Sequence, residues 1–315
     1  HAARSPKFTV GSARVFDPNP VVKLQDESLK DHADAANAVP ANGYSNRDLP
    51  RLKGKGHTLV GKWVQLINKD RASSPTATYK YNRHNDDFEQ VMAYYAIDSE
   101  QAYLQTLGFD EVNAESQKIA VDTFTDDNSF YIPGADRIEM GTGGVDDAED
   151  PEVTWHEYGH AIQDDQVPNW GLRYQGASMG EGFGDYMAVM MSQAFGKDTA
   201  TTPAACVMDW DATSYTTDTP HCLRRTDTGK VWTGTPDGDP HSDGEIWSAA
   251  LWDINGQLGR DEATTIIIEA HFWMNPKIGF QKAAEATVNV ADLLYGGVDA
   301  QKVADAFSSR GLLVT

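Results

Sequence analysis

The segment Thr154-Trp155-His156-Glu157-Tyr158-Gly159-His160 sets two histidines four residues apart, with a glutamate directly after the first. This spacing constrains the chain more than any other feature in it. On an α-helix, residues four apart share a face, so both imidazoles can point at one ion. The preceding residues favour a helix start: Asp150 suits the N-cap, Pro151 the first helical position and Glu152 the positive end of the helix dipole. Glu157 lies between the histidines in sequence but beside the ion in space. A carboxylate there can take a proton from a metal-bound water. Zinc suits that task because it brings the water's pKa near neutrality and polarises a carbonyl.

Catalytic zinc usually has three protein ligands and one open position. Gly180-Glu181-Gly182-Phe183-Gly184-Asp185 is expected to open a second helix, with Glu181 and Asp185 on one face. Glu181 is the candidate third ligand. Asp185 is the candidate acceptor for a ligand imidazole, fixing its tautomer. Taken alone, this pair would read as ordinary acids near a helix N-terminus. His241 stands at the start of another expected helix, where it could donate to an oxyanion. Asp237 or Asp239 could keep it protonated.

The remaining chain supplies context. Its 315 residues allow two lobes around a sizeable core, and 40% of them are hydrophobic. No apolar run reaches the roughly 18 residues of a membrane span. Lys and Arg number 26 against 47 Asp and Glu, a net charge of −21 that excludes a nucleic-acid surface. Cys206 and Cys222 enclose a short loop and are read as a disulfide in an oxidising compartment, with two buried thiols as the alternative. The chain begins at His1 without Met, as a mature protein freed of its leader would.

The first 75 or so residues are turn-rich with strand-like segments, including Val21 to Leu24 and Thr58 to Ile67. Phe88 to Leu107 has the spacing of an amphipathic helix ended by Gly108. A strand-like tract runs from Ile119 to Tyr131. Helical stretches follow at Gly182–Phe195, Gly244–Ile254, Ala263–Trp273, Gly279–Leu294 and Ala300–Ser308. The fold class expected is α+β, β-rich before helical. Gly176-Ala177-Ser178-Met179-Gly180 has the Gly-x-Ser-x-Gly spacing but lacks the strand-to-helix setting of a nucleophile elbow.

Together these motifs resemble the gluzincin metallopeptidases, the group of thermolysin and the fungalysins. His156-Glu157-Tyr158-Gly159-His160 is similar to the fungalysin form of the helix motif, and Met179 to Asp185 to its glutamate motif. His241 to Trp252 and Leu251-Trp252-Asp253-Ile254 resemble the helix after the late active-site histidine. Ala306 to Leu312 resembles the C-terminal helix ending. The resemblance spans roughly residues 85 to 312.

The resemblance implies a two-lobed thermolysin-like fold with the zinc in the cleft between the lobes. The expected division is 1–165 for a β-rich lobe ending in the His156 helix and 166–315 for a helical lobe. It implies one catalytic zinc on His156, His160 and Glu181, Glu157 as general base, and Asp185 as the orienting acid. His241, and Tyr174 as the nearest match to the family tyrosine, would stabilise the transition state. Asn128 and Ser129 would hold substrate backbone by strand addition. Arg224, or Arg225 beside it, would bind a carbonyl after the scissile bond. Val153 and Leu223 would line a pocket for a bulky apolar residue just after the cut. Calcium ligands of the family are not matched, although Asp146, Asp147, Glu149 and Asp150 leave room for such a site. The expected activity is that of a secreted, monomeric zinc endopeptidase acting on proteins or peptides. An aminopeptidase-like gluzincin and a zinc-stabilised binding protein are the alternatives.

Overall fold

The computed structural model describes residues 7–314, so His1 lies outside the described residues. Near the N-terminus, β1 (Phe8–Val15) pairs antiparallel with β2 (Ser45–Lys53), with a bulge between Thr9 and Gly11. The segment Val21 to Leu24, expected as a strand, is instead part of the short helix α1 (Pro20–Leu24). The reason is local. Asn19 caps it by accepting from the Val22 N–H at 3.0 Å, and Pro20 is preset for the first turn, which outweighs the two valines. Of the expected strand Thr58 to Ile67, only β3 (Val64–Leu66) is continuous; Thr58 and Val60 make isolated bridges.

β4 (Thr78–Tyr79) joins β1 in parallel. The helix α2 (Asp87–Thr106) then crosses the molecule. Its apolar spacing suggests one buried face, yet almost every side is covered, and Glu89, Glu100 and Gln101 are buried with it. It touches β1, β3 and a later helix.

A second sheet is built from β3, β5 (Gln117–Ala120), β6 (Ser129–Ile132) and β7 (Arg137–Met140), in the order β3-β5-β7-β6. β6 is the antiparallel edge strand. Its outer edge faces α3 (Pro151–Gln166), the helix carrying the two-histidine motif. Two polar ties pin α3 to α2: Trp155 Nε1–H donates to the Ala96 carbonyl at 2.9 Å, and the Tyr158 hydroxyl to Gln101 at 2.7 Å.

The rest is helical: α4 (Tyr174–Ser192), α5 (Pro240–Leu258), α6 (Arg260–His271), α7 (Phe280–Tyr295) and α8 (Gly297–Ser309). Between α4 and α5, β8 (Cys206–Val207) and β9 (Arg224–Arg225) form a small antiparallel ladder. Cys206 and Cys222 form a disulfide beside it. One apolar cluster runs from Ala13 in the first sheet to Leu312 beyond α8, so the β-rich and helical parts share a core.

α4 begins at Tyr174, eight residues before the expected start at Gly182. Its first half carries four glycines, Gly176, Gly180, Gly182 and Gly184. In the fold they are contact points. A Cβ on Gly182 would lie 2.4 Å from the Gly244 carbonyl of α5, and one on Gly184 would lie 2.8 Å from Nδ1 of His156. Gly159 of α3 faces Gly184 directly. Helices α3, α4 and α5 therefore approach more closely than side chains would permit. This brings three chain segments to one point.

Candidate metal centre and active site

The point of convergence is a cleft of about 420 Å³ between β6, α3, α4 and the β8–β9 ladder. On α3, Asp150 caps the helix by accepting from the Glu152 N–H at 3.1 Å. One turn later His156 and His160 point to the same side, with ring centroids 4.9 Å apart. Glu181 comes to them from α4. Its Oε2 lies 3.1 Å from His156 Nε2, and its Oε1 lies 3.5 Å from His160 Nε2. The two imidazole Nε2 atoms are 3.2 Å apart.

These separations test whether the residues fit a metal. Two donors about 2.0–2.1 Å from one tetrahedral ion lie about 3.3 Å from each other. The separations here, with Glu181 presenting Oε2 to His156 and Oε1 to His160, come within a few tenths of an ångström of that edge. Two facing ring nitrogens also have no reason to sit together unless a cation or proton lies between them. The electrostatics agree. Burial disfavours a charge on His156, yet Asp185 and Glu181 raise it to about 10. Burial would raise Glu181, but His160 and His156 carry it well below the usual carboxylate range. The cluster favours positive charge, which a divalent ion would supply.

A support layer stands behind the donors. Asp185 Oδ1 lies 2.8 Å from Nδ1 of His156, leaving Nε2 for the ion. Arg224 on β9 grips the same carboxylate, Nε to Oδ2 at 2.6 Å and a terminal nitrogen to Oδ1 at 2.8 Å. Burial would raise Asp185, but Arg224 and His156 hold it at about 2. Arg225 turns away to Asp227 at 2.6 Å.

Glu157 lines the cleft with its Oε2 accepting from the Tyr131 N–H at 2.8 Å. That contact ties the carboxylate to edge strand β6. Asn128, Ser129, Val153, Leu223, Arg224 and His241 all line the same cleft. His241 sits in the first turn of α5, half-exposed, with Nδ1 at 3.2 Å from Asp239 and Nε2 at 3.3 Å from Glu181 Oε2. It stands outside the group of donors lying within 4.8 Å of one another, which comprises His156, His160 and Glu181.

Tyr174 is placed differently. Its hydroxyl donates to Asp243 at 2.7 Å and accepts from the Gly238 N–H at 3.1 Å, and Tyr174 is not among the residues that line the cleft. The acids Asp146, Asp147, Glu149 and Asp150 do not gather around a common point. Glu149 pairs with Arg83 and Trp210, Asp150 holds three backbone N–H groups, and Ser129 donates to Asp147. Ser178 of the Gly-x-Ser-x-Gly segment is buried inside α4 with its hydroxyl on the Tyr174 carbonyl.

Several lining residues were not evident from the sequence. Trp170, Met208, Asp211 and Tyr215 enter through the tertiary fold, and none belongs to a motif. Among the described residues, no helix is long and apolar enough to cross a membrane.

Comparison with known proteins agrees with this geometry. The solved precursor of protealysin, a metalloproteinase from Serratia proteamaculans, superposes with a TM-score of 0.57. The match covers 80% of this chain and 85% of that one at 16% identity, so it speaks for the fold, which is thermolysin-like. No curated protein sequence matches. The fungalysin metallopeptidase (M36) profile matches residues 141–315, more than half of the chain, and includes all three metal donors, Glu157 and Asp185. Residues 141–315 thus carry both the profile and the convergent donors, and the chain belongs to the fungalysin family of metallopeptidases.

Proposed function

We propose that this chain is a secreted, monomeric zinc endopeptidase that cleaves within extended polypeptides. The observation that carries this reading is the position of Glu157. Its carboxylate lines the same cleft as the metal donors and accepts from the Tyr131 N–H of edge strand β6, so a water and a substrate backbone would meet beside it. Zinc bound by His156, His160 and Glu181 would supply an acidified water and a Lewis acid for the scissile carbonyl. Glu157 would take the water's proton and pass it to the leaving amine. His241, at the cleft wall with Asp239 3.2 Å from its Nδ1, would donate to the developing oxyanion. Ser129 on β6 and Asn128 just before it would pair with the substrate strand. Arg224, fixed by Asp185, would reach the next carbonyl. Val153 and Leu223 give the pocket after the scissile bond an apolar wall. The lobe boundary near residue 165 belongs to the same reading. The disulfide fits an extracellular setting.

Glu157→Ala should abolish casein hydrolysis while one zinc per chain stays bound. Undiminished hydrolysis would sink the mechanism. Cleavage of internal bonds in end-blocked peptides separates this reading from the aminopeptidase alternative. Measurable turnover excludes the purely structural role for zinc.

A further inference from the structure

The cleft that Val153 and Leu223 help to line also carries buried acids. Asp147 lies in the turn just before α3, and Asp211 in the turn after β8. Both line the cleft that holds Glu157 and Arg224. They are 3% and 2% exposed, and Oδ1 of each has no hydrogen-bond partner among the described residues. Asp127 brings a third carboxylate, with one oxygen from each acid within 4.8 Å of the others. No lysine or arginine pairs with any of the three among the described residues. The cation closest to hand, Arg224, already spends its fork on Asp185.

We infer that this pocket selects a cationic side chain, lysine or arginine, on the residue following the scissile bond. Its apolar stem would pack on Val153 and Leu223, and its head would reach Asp147 and Asp211. The inference rests on the endopeptidase reading above and replaces the simple apolar preference expected from the two wall residues. Its physical basis is that buried carboxylates without counter-charge are costly, and the cost is relieved by a cation. Burial, with Asp127 and Glu157 close by, pushes Asp147 up to about 8. A substrate ammonium or guanidinium arriving there would let these acids ionise. Calcium is the competing occupant. It requires six to eight oxygens, whereas Val153, Met208 and Leu223 contribute apolar surface to the same cleft.

The test is cleavage-site profiling of the zinc-loaded enzyme on a peptide library, followed by matched peptides differing only after the cut bond. Lysine and arginine peptides should show kcat/KM about tenfold or more above the leucine peptide. Asp211→Asn and Asp147→Asn should each shrink that ratio at least severalfold. Equal or faster cleavage of the leucine peptide overturns the inference and leaves the endopeptidase reading standing. Cleavage of no peptide at all overturns that reading as well. Calcium titration provides a separate check. Sub-millimolar binding that Asp211→Asn removes, with no charge preference in cleavage, would assign the acids to a metal instead. Should the variants fail to fold, the wild-type ratio still decides.

Discussion

Asp185 holds Nδ1 of His156 at 2.8 Å while Arg224 clamps the same carboxylate from the other side. One buried acid thus orients a metal donor and anchors a substrate-facing arginine. Asp185→Asn keeps the shape but loses the charge that both neighbours need. Metal affinity should fall about 10- to 100-fold, read by competition with a chelator. Arg224 would be left buried and uncompensated, which should destabilise the fold by about 3 kcal/mol in denaturant titration. Unchanged metal affinity would mean that Asp185 has no role in orienting His156.

His241 and Tyr174 were both expected to stabilise the transition state, and the structure separates them. His241 lines the cleft, whereas the Tyr174 hydroxyl is committed to Asp243 and Gly238. His241→Ala should lower kcat about 100-fold or more with KM little changed. Tyr174→Phe should leave kcat within about twofold, since a hydroxyl held elsewhere contributes little to the reacting atoms. A 100-fold loss in Tyr174→Phe would require the loop around Gly238 to move during turnover.

The metal site was legible in the sequence because it is written in helical periodicity. His156 and His160 are one turn apart, and Glu181 and Asp185 are one turn apart, so two short motifs carry four of its residues. The buried acids of the cleft were not legible. Asp147 and Asp211 are 64 positions apart and meet only in the fold, where Asp150 at the start of α3 accepts from the Trp210 and Asp211 N–H groups. The start of α4 was misplaced for a related reason. Its glycines serve contacts with other helices, and local propensity cannot register a partner that is distant in sequence.

Those contacts yield a prediction at Gly184. A methyl group there would press on Nδ1 and Cε1 of His156 at 2.8 and 2.9 Å. The imidazole would have to swing off Asp185, taking Nε2 out of line with His160 and Glu181. Gly184→Ala should therefore bind metal more weakly and lose at least about tenfold in kcat, since small misplacements at a reacting centre are expensive. An alanine enzyme with normal metal content and rate would show that α3 and α4 can separate without cost.

The acidity of the interior makes stability depend on pH in an unusual direction. Burial, reinforced by neighbouring acids, pushes Asp122 up to about 8 and Asp146 up to about 7. In the unfolded chain these groups ionise near pH 4. Between about pH 4 and 8 the folded state therefore holds more protons than the unfolded state. By linkage, stability falls as pH rises through that window. The melting temperature of the zinc-loaded protein should drop by about 5 °C or more from pH 5 to pH 8. Asp122 offers the control, because its Oδ1 is buried without a partner. Asp122→Asn removes one ionisation that the fold resists, so it should raise the melting temperature at pH 8 by about 2 °C and flatten the slope. A melting temperature that climbs toward pH 8 would mean that these carboxylates are paired with cations in solution.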